Sequence, residues 1–181
     1  MSLDHAILGF LNYQPMTGYD LKKAFDQSVA HFWSATQSHI YKSLDRLEAG
    51  GLLTVEVVPQ DKHPSRKVYR ITPAGSEELL RWLATPMPVE QIRMGWLIQA
   101  FFASYLPDAE SERMVKERID TLRHELDYLD RDVRRNVERG AALLGDERVT
   151  RWWFLTLDTG VVHRRAELEL LQKRLKEKHE K

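Results

Sequence analysis

The feature that most constrains the fold of this 181-residue chain is a change of hydrophobic period between residues 53 and 71. Residues 53–58 and 67–71 alternate apolar and polar side chains, whereas the flanking segments repeat apolar residues every three or four positions. Residues 59–66, between the two alternating runs, are polar and rich in turn formers. The sequence therefore predicts one hairpin of two strands inside a chain that is otherwise helical.

Three short helical segments precede this hairpin and one follows it. The first spans residues 6–11, the second begins at Thr17 and Asp20, and the third begins at Ser34 and Gln37. The last two starts have the spacing of a helix cap, in which a Ser or Thr side chain accepts a backbone N–H three residues on. Residues 72–73, a threonine followed by proline, open the fourth helix. We predict that residues 1–85 form one domain.

The second half of the chain, residues 86–181, is predicted as a separate helical domain that follows the proline-rich break at residues 85–88. Asp108 is expected to cap a long helix, Gly140 and Gly145 bracket a break, and Asp146 is expected to cap again. Apolar residues recur at spacings of three and four, which is typical of a coiled coil. The residues predicted to make a dimer through this seam are Val115, Ile119, Leu122, Leu126, Leu129, Leu157, Val161, Leu168 and Leu171.

One position of this seam is occupied by Arg164. Its long stem can carry the charge to the surface, or the charge can pair with Glu125 or Asp132 on the companion helix. Since a seam of this length has more apolar surface than one monomer is expected to cover, we expect a homodimer.

Several classes of function are excluded by the sequence. The chain has no cysteine, which removes disulfides, thiolate metal sites and cysteine nucleophiles. It also has no His-Glu-x-x-His motif, nucleophile elbow or phosphate-binding glycine loop, so we predict no catalysis, no metal and no cofactor. Residues 94–106 are too short and too interrupted for a membrane span and predict a core helix. Because the first residues lack the features of a secretory signal, we expect a cytoplasmic protein with no membrane partner.

The order of elements, three short helices and then a hairpin, is that of a winged helix-turn-helix. In this fold the third helix enters the DNA major groove, and we expect its polar face to carry Thr36, Gln37, His39, Lys42, Ser43 and Arg46. The hairpin tip adds Lys62, His63, Arg66 and Lys67, a cationic group able to reach a phosphate or the minor groove. The predicted fold class is thus mainly α, a winged helix-turn-helix with a small two-stranded wing, joined to a coiled-coil-like helical dimerisation domain.

At these residues the chain resembles the PadR-like bacterial transcriptional regulators. The motifs that carry the resemblance are Ile7-Leu-Gly-Phe-Leu11, Pro15-Met-Thr-Gly-Tyr-Asp-Leu21, Phe32-Trp33, Ser38-His-Ile-Tyr-Lys-Ser-Leu-Asp-Arg-Leu-Glu48, Gly50-Gly-Leu52, Arg66-Lys-Val-Tyr69 and Ile71-Thr-Pro-Ala-Gly75. The second half resembles the longer subfamily, whose C-terminal region is shared with virulence-activator-type regulators.

The resemblance implies a homodimer that binds a near-palindromic double-stranded DNA operator, usually as a repressor, and in some members senses a small molecule. By position it places Tyr19, Ser38, Tyr41, Lys42, Arg66 and Lys67 near DNA. One departure lies in the wing, where Lys62-His63 precede Pro64 instead of the Gly-Arg often found in the family.

The residues and the resemblance together predict a division of labour at the DNA. Lys22, Lys62, Arg66 and Lys67 are expected to bind phosphates. Gln37, Ser38, His39 and Lys42 are expected to read base edges. The alternative function is a protein-interaction adaptor whose winged domain no longer binds DNA, which the balanced charge of residues 1–85 favours. For the five tryptophans, core packing is the first interpretation, and a pocket for an aromatic small-molecule effector is the second.

Overall fold

The computed structural model describes residues 2–59, 65–88 and 93–179. The chain divides into two compact units, Met1–Pro88 and Val89–Lys181. Among the described residues, none of the helices has both the length and the apolar character needed to cross a bilayer.

The N-terminal unit has four helices and a small sheet. Its helices are α1 (Ser2–Tyr13), α2 (Gly18–Ser28), α3 (Gln37–Ala49) and α4 (Pro73–Ala84), and its strands are β1 (Met16–Thr17), β2 (Leu53–Val58) and β3 (Arg66–Ile71). The predicted winged helix-turn-helix is confirmed. The sheet has a third strand, however, because β1 pairs antiparallel with β3 on the side opposite β2.

Threonine side chains cap three of these helices. Thr17 accepts the backbone N–H of Asp20 at 3.1 Å, and Thr72 accepts that of Gly75 at 3.0 Å, both as the spacing predicts. At α3 the predicted cap, Ser34, is wrong. Thr36 caps that helix and accepts the N–H of His39 at 3.3 Å, so α3 begins two residues later.

One core holds the N-terminal unit together. Its buried side chains come from all four helices and from β2 and β3: Ile7, Leu8, Leu11, Leu21, Phe25, Ile40, Leu44, Leu47, Leu53, Tyr69 and Leu79. Since α3 contributes Ile40, Leu44 and Leu47, only one of its faces is covered by the protein. Ser43 was predicted beside the polar face but is buried, and it accepts a hydrogen bond from Arg46 at 3.1 Å.

The C-terminal unit consists of helices with no sheet among its described residues. They are α5 (Gly95–Phe101), a 3₁₀ turn (Ala103–Tyr105), α6 (Asp108–Tyr128), a π-helical turn (Leu129–Val133), α7 (Arg134–Leu144) and α8 (Glu147–His179). Pro107 precedes α6 without a side-chain cap, so Asp108 is the first residue of that helix and not its cap. The predicted break occurs only at Gly145, which has a φ of 64°, while Gly140 is helical and packs against Trp153.

The residues predicted to form the dimer seam are covered within one chain. Six of them, Ile119, Leu122, Leu129, Leu157, Val161 and Leu171, are buried where α6, the π turn and α8 meet, and Val115, Leu126 and Leu168 pack against the same clusters. Helices of the same chain therefore occupy this face, and the assignment of these residues to a contact with a second copy stays a prediction. Arg164 donates to Glu125 at 2.6 Å, which is one of its two predicted partners.

The predicted core helix at residues 94–106 is also corrected. Helix α5 has only seven residues, and Ile98, Phe101 and Tyr105 are between 65% and 86% exposed. The segment is apolar on every side, so a short helix that packs one side leaves the others in solvent. Trp96 is the part that packs, partly buried beneath the Arg118 guanidinium.

Three of the five tryptophans pack against other side chains, as the core-packing interpretation predicts, and two are exposed. Trp96 and Trp153 pack against the clusters of the C-terminal unit, and Trp82 stacks on His5 with 4.6 Å between ring centroids. Trp152, in contrast, is 61% exposed, and Trp33 lies at the surface of the N-terminal unit.

Candidate nucleic-acid interface

The uncovered face of α3 is polar. Gln37, Ser38, His39 and Lys42 are all exposed, and Ser38 and Lys42 lie on the side of the helix opposite Ile40 and Leu44. An α-helix that buries one side and presents hydrogen-bonding groups on the other has the form required to read base edges in the major groove.

An open groove of ≈ 690 Å³ adjoins this face. Helix α2, helix α3 and the first residues of β3 line it, through Thr17, Gly18, Tyr19, Asp20, Tyr41, Ser65, Arg66, Lys67 and Tyr69. The pairing of β1 with β3 explains this convergence, because it fixes the start of α2 beside the base of the wing. Four residues predicted near DNA, Tyr19, Tyr41, Arg66 and Lys67, are thus brought together.

Gly18 allows Tyr41 to lie against the start of α2. A Cβ built at Gly18 would be 2.7 Å from the Tyr41 ring, closer than such atoms approach in proteins. Tyr69 forms the floor of the groove, and burial, together with the nearby charges of Asp45 and Glu48, raises the pKa of its hydroxyl. Aromatic rings therefore form the walls of the groove, and Arg66 and Lys67 place positive charge at its edge.

Some of the cationic side chains predicted to contact DNA form ion pairs within the protein, and others do not. In the part of the chain that the structure describes, Lys42, Arg66 and Lys67 form no ion pair. Lys22, in contrast, pairs with Asp26 one turn along α2, and its predicted phosphate contact stays a prediction. Lys62 and His63 lie outside the described residues.

Arg46 is paired with an acidic residue of another helix, and its predicted DNA contact stays a prediction. Its Nε donates to the Asp4 carboxylate at 3.1 Å, so this guanidinium ties α3 to α1. Burial by itself raises the pKa of Asp4, but hydrogen bonds from Arg46 and Ser43 and the Arg46 charge outweigh it and hold that pKa below its ordinary value. We therefore assign Arg46 a role in fixing the position of α3 within the N-terminal unit.

Thr36 has a structural role in addition to its predicted one. Its hydroxyl oxygen caps α3 and lies 3.1 Å from the Ser38 hydroxyl. A side chain that holds a helix start in this way keeps the first turn, with Gln37 and Ser38, in a fixed geometry.

Two contributors to this surface were missed by the sequence interpretation. The short strand β1 has only two residues and shows no alternation that a period analysis could detect. Asp4 lies 42 positions from Arg46, and no local pattern links them. The described residues contain no cluster of three or more His, Asp or Glu side chains suited to a metal ion.

Known proteins share this architecture. The model of the transcriptional regulator PadR-like family matches residues 7–81. Over residues 7–81 the chain is similar to the members of this family. The family is one of transcriptional regulators, in agreement with the prediction that the chain is not an enzyme.

Individual relatives extend the similarity. The probable transcriptional regulator Rv1176c of Mycobacterium tuberculosis is 41% identical over 87 residues, which are 48% of this chain and 46% of that protein. The negative transcriptional regulator PadR of Bacillus subtilis is 32% identical over 118 residues, 65% of each chain. The matches thus span from about half to about two thirds of these curated relatives.

A solved structure is similar over nearly the whole length. The crystal structure of Bacillus subtilis PadR in complex with operator DNA has a TM-score of 0.82 and 25% sequence identity, and the match covers 97% of this chain and 98% of that one.

Proposed function

We propose that this chain is a DNA-binding regulator that acts as a homodimer on a near-palindromic operator, as a repressor. The observation that carries the proposal is the exposed polar face of α3 beside the groove rimmed by Arg66 and Lys67. The operator complex of Bacillus subtilis PadR, a protein of the same fold, supports it.

In this proposal the two kinds of contact come from two parts of the surface. Lys42, Gln37, Ser38 and His39 read base edges from the major groove. Arg66 and Lys67 bind phosphates next to the groove and set the register of the helix. Tyr19 and Tyr41 lie between them and pack against the sugar-phosphate backbone.

Twofold symmetry completes the mechanism. A dimer presents two α3 helices to two half-sites about one turn of DNA apart, so each weak set of contacts is used twice. A repressor needs no further chemistry, since an occupied operator blocks access to the promoter. The dimer would work in the cytoplasm, where the chromosome of a bacterium lies.

Selection of genomic fragments bound by the purified protein tests the proposal. We expect an enriched inverted repeat whose half-sites are separated by about 10 base pairs from centre to centre. Placed upstream of a reporter gene, this repeat should lower expression when the protein is present. Recovery of fragments without a shared sequence would contradict the proposal and favour the adaptor function.

Release by an aromatic small molecule is part of the same proposal. The tryptophan content supports it, since Trp33 is 37% exposed in the N-terminal unit. The measurement is dissociation of the selected duplex on addition of aromatic acids, amines and alcohols, and a duplex that stays bound with all of them would remove this part.

A further inference from the structure

Helix α2 carries four charged side chains, and three of them are compensated locally. The Asp20 carboxylate accepts the Thr17 hydroxyl at 2.7 Å and lies in the first turn, where the N-terminal end of a helix favours a negative charge. Lys22 and Asp26 form an ion pair one turn apart. Lys23 forms no ion pair with another described residue. Within the described part of the chain, the uncompensated charge of α2 is therefore a positive one.

Lys23 lies on the side of α2 that faces away from the core. At about 100° per residue it is about 160° from Leu21 and from Phe25, the buried residues before and after it, and its side chain is exposed. Lys22 is instead about 60° from Phe25, and only 27% of its side chain is exposed. Lys23 is thus the more accessible of these two neighbouring lysines.

The exposed side of α2 continues the surface of the groove beside α3. Tyr19 lines that groove together with Arg66 and Lys67. Lys23 follows Tyr19 after one helical turn, about 40° around the helix, and side chains four residues apart are about 6 Å from each other. Lys23 therefore extends the cationic row that starts at the base of the wing.

A row of this kind fits the backbone of one DNA strand. In a helix-turn-helix the first helix crosses the sugar-phosphate backbone while the second enters the major groove, and here these are α2 and α3, which pack against each other. Each strand carries one phosphate for about every 3.4 Å of rise, so a strand that meets Arg66 and Lys67 offers further phosphates along α2. An ammonium group binds such a phosphate whatever the base sequence.

We propose that Lys23 binds a phosphate of the operator, and that Lys22 makes no such contact because Asp26 holds its charge. A phosphate that approached Lys22 would also approach the Asp26 carboxylate, which repels it. The inference rests on the proposed function and adds one contact per chain to those of Arg66 and Lys67. It differs from the sequence prediction, which assigned the phosphate on α2 to Lys22 and did not include Lys23.

A neutral substitution tests the contact at Lys23. Lys23→Gln removes the charge and should raise the Kd for the selected operator and for an unrelated duplex of equal length by about tenfold each. Because a dimer has two copies of this residue, the slope of the logarithm of affinity against the logarithm of salt concentration should become shallower by about 2. Lys23→Arg keeps the charge and should keep both quantities at their wild-type values. Fluorescence anisotropy titrations at several salt concentrations measure them.

The neighbouring ion pair provides the second arm of the test. The double variant Lys22→Gln/Asp26→Asn removes both charges of the pair and leaves the net charge unchanged, so the Kd and the salt slope should stay at their wild-type values. Asp26→Asn alone releases the charge of Lys22 and should tighten binding to both duplexes. Urea unfolding of each variant, with a midpoint equal to that of wild type, shows that the fold is retained.

The outcomes separate this inference from the proposed function. Weaker binding and a shallower salt slope for Lys23→Gln, with the double variant unchanged, support the inference. It is overturned if Lys23→Gln binds as wild type does, if the double variant loses as much affinity as Lys23→Gln, or if Asp26→Asn binds no more tightly. In each of these cases the wild-type chain still binds its operator and the proposed function stands. A wild-type chain that binds no duplex overturns both.

Discussion

Helices α3 and α8 each cover one face within their own unit and leave the other exposed, and the two exposed faces differ in composition. On α3 the exposed face carries amide, hydroxyl, imidazole and ammonium groups, whereas on α8 it carries an indole and branched aliphatic side chains. The polar face suits a partner that offers hydrogen-bonding edges and phosphates. The apolar face suits another helix. The composition of the uncovered face therefore indicates the chemistry of the partner.

The largest expected difference between the two faces of α3 is in how much a substitution on each face lowers the free energy of unfolding. Leu44→Ala removes a fully buried side chain and should lower the free energy of unfolding by about 2–5 kcal/mol, because a cavity is left in the core. Lys42→Ala, on the exposed face of the same helix, should change it by no more than about 0.5 kcal/mol. Urea unfolding followed by circular dichroism measures both. Equal losses would mean that Lys42 is held by the fold and is not available to DNA.

The next effect concerns the groove beside α3. Gly18→Ala places a methyl group where the Tyr41 ring lies, and the displacement should cost about 1–3 kcal/mol of stability and weaken DNA binding. Gly9→Ala is the matched control, since its Cβ meets nothing within 4 Å and alanine favours the helix by about 1 kcal/mol. Thermal unfolding and fluorescence anisotropy with the selected duplex give the two quantities. A Gly18→Ala variant that is as stable as wild type and binds as well would contradict the proposed packing.

Substitutions on α3 and at the start of β3 should affect DNA binding in different ways, because α3 is assigned to base edges and β3 to phosphates. Lys42→Ala should relax the preference at one base pair by about 1–3 kcal/mol. Arg66→Ala should weaken binding to the operator and to unrelated duplexes to a similar extent, because phosphates are the same in all sequences. Competition titrations with single-base variants of the operator distinguish the two. If both variants change specificity in the same way, the assigned roles are wrong.

The smallest effect is on the tether that holds α3 to α1. Because the pKa of Asp4 is held below its ordinary value of 3.8, its ion pair adds stability above that pH, and this stability is lost as the pH falls through the lowered pKa. Wild-type stability should therefore fall more steeply below pH 4 than that of Asp4→Asn, which lacks the carboxylate. Urea midpoints between pH 2.5 and 6 provide the comparison. Parallel curves would show that the pair adds nothing.

Local signals made the N-terminal unit predictable from the sequence. The caps at Thr17 and Thr72 need only residues three positions apart, and the alternation of β2 and β3 needs only a short window. The exposed residues of α3 follow from the same reasoning, since three buried apolar positions define the opposite face.

Contacts between distant residues were not predictable in this way. Arg46 pairs with Asp4 of a different helix, and β1 pairs with β3, some 50 residues along the chain. Heptad spacing has a related limit, because it specifies that a helix will be covered but not whether the covering helix belongs to the same chain. The predicted seam and the exposed apolar residues of α8 both recur at helical spacings, and the packing alone shows which of them is covered.

The salt dependence of DNA binding tests the central claim, that the free cations beside the exposed face of α3 hold DNA. Arg66 and Lys67, the two cations assigned to phosphates, give about four phosphate contacts per dimer. The logarithm of the affinity for the selected operator should then fall with the logarithm of the salt concentration with a slope of about −4 from these contacts alone. An affinity that does not change between 50 and 200 mM salt, a range chosen because phosphate contacts weaken strongly across it, would contradict the claim.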